Sequence, residues 1–178
     1  MSMAVMILAI GVGIFLELSM QSSIFMGLAR PPVLALIVAY YALNHSVPMM
    51  LAAALLGGIL CDGIGSLPLG ITPLALAAIG AVLHYYRGTV FSGKIVTSIV
   101  IGAAIGVSVT LIVFTLLLFL GQAHYSLQLR TICLKIIGTM IYGAVFFPVI
   151  YALLERLELL TGAGLPERRP GNITSFSR

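Results

Sequence analysis

The stretch GGILCDGIGSLPLGITP, Gly57 to Pro73, decides how the chain is read. It contains Asp62, the single carboxylate between Glu17 and Glu155, in an otherwise apolar region. An acid at apolar membrane depth costs about 2.5–3.5 kcal/mol at a helix centre, so it needs a boundary or a partner. Gly57, Gly58, Gly63, Gly65 and Gly70 surround it, with Pro68 and Pro73. Glycine permits close backbone approach or positive φ, and proline suits the first turn of a helix. The local expectation is a helix, a tight turn over Asp62–Ser66 with Asp62 capping the Gly65 or Ser66 amide, and a new helix from near Pro68.

Outward from this stretch the chain is too apolar for a soluble domain. It has 178 residues, 61% hydrophobic and 8% charged, where a soluble domain carries about 25% charged residues. Its mean hydropathy is +1.18. The reading is an all-α polytopic membrane bundle. The nine basic residues are scattered singly, which suits orientation in a bilayer and not nucleic-acid binding. Cys61 and Cys133 read as two free, buried thiols, too few for a metal site. No Lys or Arg precedes the first apolar run, so that run reads as a retained helix and not a cleaved signal.

Six apolar runs follow one another: Met3–Met20, Pro31–Leu43, Val47–Cys61, Leu67–Tyr86, Ile95–Leu120 and Ile132–Leu154. The second and third are shorter than the roughly 20 residues of a typical span. They either cross a locally thin region or form a hairpin inside the bundle. Gly102 and Gly106 place small residues one turn apart on the fifth run, a surface for close helix packing. Pro148 lies inside the sixth run, where a kink is expected, and Lys135 near its start snorkels. Residues 1–160 read as one bundle and 161–178 as a flexible tail. With six passes, Arg87, Lys94, Arg156, Arg168, Arg169 and Arg178 share one side, against Arg30, Arg130 and Lys135. The positive-inside rule then makes both termini cytoplasmic, with Asp62 near the outer face.

Catalytic signatures are wanting. No phosphate-binding loop, HExxH or paired-cysteine spacing occurs. His45, His84 and His124 read as interfacial polar residues, although Asp62 with His45 or His84 is a conceivable acid–base pair. Asn44-His45-Ser46 and Asn172-Ile173-Thr174 match the glycosylation pattern and read as chance. The expectation is no enzyme, no cofactor and no metal.

The segment from Arg30 to Arg87 resembles the MreD family of rod-shape-determining membrane proteins. The resemblance rests on the Arg30-Pro31 entry, the Tyr40-Tyr41 pair, Gly58-x-x-x-Asp62 and Pro68-Leu69-Gly70. Gln21 and the closing helix YGAVFFPVIYALLERLE add to it. It implies a non-enzymatic subunit of the cell-elongation machinery in the bacterial inner membrane. The implied partners are an MreC-type scaffold and, through it, a RodA-type glycosyltransferase, a class B penicillin-binding transpeptidase and MreB, besides membrane lipids. It also implies a fold similar to the six-helix substrate-binding subunits of energy-coupling-factor transporters. Under this reading Arg30, Pro31, Gly58, Asp62, Gly65, Pro68 and Gly70 are either a partner surface or a structural turn. The alternative is a small-molecule-binding transporter subunit using Asp62, Arg30, Gln122 and His124. An intramembrane enzyme or flippase is a third, weaker reading.

Overall fold

A computed structural model describes residues 2–19, 31–64, 69–90, 95–119 and 129–160. All regular structure among them is helical: α1 (Ser2–Ser19), α2 (Val33–Asn44), α3 (Val47–Ile64), α4 (Ile71–Val90), α5 (Ile95–Phe119) and α6 (Leu129–Leu160). Residue contacts fix the directions. Gly57 of α3 meets Leu34 at the start of α2, while His84 near the end of α4 meets Ala42 near the end of α2. Glu158 near the end of α6 also meets the end of α2. Helices α2, α4 and α6 therefore run one way and α1, α3 and α5 the other. The end where the even helices finish is called the A end, and the opposite one the B end.

The short helix α2 is the centre. Every residue from Val33 to Leu43 is buried, and α2 contacts all five other helices. Its sequence, VLALIVAYYALN, has no polar face because no face meets solvent or lipid. The outer helices are inverted relative to a soluble protein. Ile7 and Phe15 of α1, Leu55 and Ile59 of α3, Val100 of α5, and Ile137 and Val149 of α6 are exposed, whereas Asp62, Thr139 and Glu158 are buried. By length and composition α3, α5 and α6 can cross a membrane. The second and third runs thus part company: α2 is internal, and α3 presents an outer face.

Helices α5 and α6 pack on small residues. A Cβ on Gly102 would strike the Gly143 carbonyl, one on Gly143 the Gly102 carbonyl, and one on Gly106 the Thr139 carbonyl. Thr110 and Thr139 hydroxyls meet across the pair at 2.9 Å. The expected packing face of Gly102 and Gly106 is therefore real, and Gly143 completes it from α6. Helix α6 runs unbroken through Pro148. It also continues past Leu154, so the polar ERLELL segment is its last turns and not a separate helix.

Candidate functional site: the α3–α4 corner and the two ends of α2

The decisive stretch folds differently from the expected turn. Asp62 lies within α3, two residues before its end, and α4 begins at Ile71, not near Pro68. Its Oδ2 accepts the Gly70 N–H at 2.8 Å and the Thr72 N–H at 3.2 Å, while the expected Gly65 and Ser66 amides lie outside the described residues. The reason lies in Gly70, whose φ of +105° turns the chain directly ahead of the helix. The first-turn amides of a helix have no partner within it, and the Asp62 carboxylate supplies one across the corner. One turn back on the same face, a Cβ on Gly58 would come within 2.5 Å of the Pro73 Cα and N. Gly58-x-x-x-Asp62 is thus one device: the glycine lets α4 approach and the acid caps it. Asp62 is 3% exposed, and its Oδ1 has no hydrogen-bond partner among the described residues.

The start of α2 repeats the arrangement. Glu17, two residues before the end of α1, accepts the Leu34 N–H on Oε2 at 3.3 Å. Leu34 is the second residue of α2, as Thr72 is of α4. Pro31 and Pro32, both buried, have no N–H to leave unpaired, and the Pro31 carbonyl accepts the Val33 N–H. In each hairpin a carboxylate from the outgoing helix caps the returning one.

At the A end, α2 finishes in a polar knot. Tyr40 donates its hydroxyl to Glu158 Oε2 at 3.0 Å, and His45 Nε2 lies 2.8 Å from Glu158 Oε1. Glu158 is 1% exposed. Asn44 donates to the Tyr40 carbonyl, Tyr151 donates to Asn44 Oδ1, and His84 donates from Nδ1 to the Ala42 carbonyl. The Tyr41 ring stacks obliquely on His45 at 5.1 Å. A helix shut away from water must find acceptors and donors for its ends inside the protein, and these side chains provide them.

Of the residues expected at a site, Gly58, Asp62 and Gly70 converge at the α3–α4 corner, while Pro31 lies two residues ahead of α2. Gly102 and Gly106 lie on the α5–α6 seam and Pro148 inside α6. Arg30, Gly65, Pro68, Gln122 and His124 lie outside the described residues. The structure does not pair Asp62 with His45 or His84, which sit at the A end while Asp62 lies at the B end. Cys133 is exposed, contrary to the expected burial, while Cys61 is half-buried; neither forms a disulfide. Glu158 is the main residue that sequence reading missed. It lies about one turn beyond the apolar run, in a polar segment to which sequence reading assigned no role, and its spacing from Tyr151 (two turns back on the same helix face) is the one local signal.

The chain matches no family model, no curated protein and no solved structure.

Proposed function

We propose that this chain is a non-enzymatic inner-membrane subunit of the bacterial cell-elongation machinery, of the MreD kind, with both termini cytoplasmic. It binds an MreC-type scaffold. Through that scaffold it supports the RodA-type glycosyltransferase, the class B penicillin-binding transpeptidase and MreB. The supporting observation is that three of the residues carrying the resemblance form one physical unit. Gly58, Asp62 and Gly70 together make the α3–α4 corner. Their role there is conformational: one oxygen of Asp62 is engaged by the Gly70 and Thr72 amides. The same engagement counts against the small-molecule reading, which needs Asp62 as a pocket group. On this reading six helices pass through the bilayer region, and the apolar outer faces of α1, α3, α5 and α6 are the surfaces open to lipid and to a partner's helix.

The test is co-expression with an MreC-type scaffold from the same genome, extraction in detergent and native mass spectrometry. The expected result is a complex of defined stoichiometry whose recovery drops when the corner is disrupted by Gly58→Leu. A lone chain that retains a small molecule would overturn the proposal and favour the transporter-subunit reading.

A further inference from the structure

Beside the donors bonded to Glu158 stands an idle one. Tyr41 is 0% exposed, and its hydroxyl has no hydrogen-bond partner among the described residues. A buried polar group is normally paired, because burying it bare forfeits its hydration. The Tyr41 ring lies 5.1 Å from the His45 ring and meets the Tyr40 ring edge-on at 5.6 Å. His45 and Tyr40 are the two groups bonded to Glu158, on Oε1 and Oε2. The Glu158 charge also acts on the Tyr41 hydroxyl. The hydroxyl therefore sits in the field of an acceptor that it does not use, next to the donors that do.

Of the two bonded donors, His45 is the easier to withdraw. Tyr40 lies inside α2 and is 0% exposed. His45 follows the last residue of α2 with extended backbone, and its side chain is 10% exposed. The next residues, Ser46 to Pro48, are exposed. The His45 N–H is bonded to the Tyr41 carbonyl at 2.9 Å. Turning the side chain about χ1 thus frees the imidazole without unwinding α2. The only other described bond at His45 is from the exposed Arg87 to its carbonyl, at 3.5 Å, beyond the usual length of a hydrogen bond.

We infer that Glu158 exchanges donors: the His45 imidazole swings out to the A-end surface while the Tyr41 hydroxyl takes its place on the carboxylate. Losing one partner strands a buried charge, and the idle hydroxyl prevents that. The α2–α3 link is then a latch with two resting positions. In the closed one His45 is on Glu158 and Tyr41 is unpaired. In the open one Tyr41 is on Glu158 and the imidazole is hydrated beside Ser46. The exchange takes place within the chain and needs no partner.

The experiment labels histidines of the full chain in detergent with diethyl pyrocarbonate and reads each peptide by mass spectrometry. A ring shielded by Tyr41 and Glu158 reacts only after it swings out. Tyr41→Phe keeps the ring and its stacking but removes the replacement donor. The expected result is His45 labelling at least about tenfold slower in Tyr41→Phe than in the wild type, the effect of one hydrogen bond to a charged group. Equal rates would overturn the inference. Thermal midpoints in two backgrounds give a second readout. In the wild type Tyr41→Phe removes an idle hydroxyl, so the midpoint should hold or rise. In His45→Ala it removes the donor in use, so the midpoint should fall by several degrees. The same shift in both backgrounds would also overturn the exchange. Neither readout involves a scaffold, so this proposal and the preceding one fail separately.

Discussion

His45 Nε2 lies 2.8 Å from Glu158 Oε1, tying together residues 113 apart in the chain. The carboxylate also takes the Tyr40 hydroxyl, so α6 grips the end of α2 at two points. Removing one partner of a buried polar pair strands the other, at about 3–5 kcal/mol. Glu158→Ala should lower the thermal midpoint in detergent by several degrees. Glu158→Gln should lower it less, because an amide still pairs with Tyr40 and His45. An unchanged midpoint for Glu158→Ala would show that the knot contributes nothing to stability.

Asp62→Ala deletes the acceptor for the Gly70 and Thr72 amides. Loss of such a cap costs about 0.5–2 kcal/mol, with the upper end expected here because water is a poor substitute at apolar depth. Asp62→Asn keeps one oxygen and should recover most of the loss. Equal destabilisation by both variants, measured by denaturant titration, would indicate that charge and not capping matters.

The glycines divide into two groups that one substitution separates. Alanine at Gly58 meets the Pro73 backbone, and at Gly102, Gly106 or Gly143 it meets a carbonyl of the facing helix. Backbone cannot swing aside, so each should cost about 1–3 kcal/mol. Gly11 and Gly63 face open space, and alanine there should stabilise by about 0.4–1 kcal/mol through helix propensity and a less free unfolded chain. Circular dichroism melts of the six single variants would reveal the split, or its absence.

The Thr110–Thr139 contact joins α5 and α6 beside the glycine seam. Each hydroxyl also lies in reach of a carbonyl of its own helix, Gly106 for Thr110 and Lys135 for Thr139, and with one proton apiece one hydroxyl donates across the pair while the other donates to its own helix. Neither is therefore left bare when the other is removed. A double-mutant cycle with Thr110→Val and Thr139→Val should give a coupling of about 0.6 kcal/mol, the usual scale for such bonds between membrane helices. A coupling near zero would assign the seam's stability to backbone contact alone.

The helix count and the seam at Gly102 and Gly106 were readable because apolar runs and small-residue spacing are local signals. The corner was half readable. Asp62 among glycines announced a cap, but which amide it caps depends on the positive φ of Gly70, eight residues on. Nothing in the local pattern separates a turn at Gly65 from one at Gly70. The burial of α2 was not readable from its apolar run, since a run lacking a polar face suits lipid and protein interior equally. Glu158 was least legible of all: its partners Tyr40 and His45 are supplied by a distant hairpin.

The enclosure of α2 also bears on the order in which the protein is made. Of the five helices that surround α2 in the finished fold, four, α3 to α6, follow it in the chain. Its A-end partner Glu158 is synthesised after every other helix has emerged. The centre of the bundle is therefore the last part to close. Until then Tyr40 and His45 lack their carboxylate, and α2 is held by α1, α3, α4 and α5 without α6. A chain stalled before α6 leaves that end of α2 without its carboxylate.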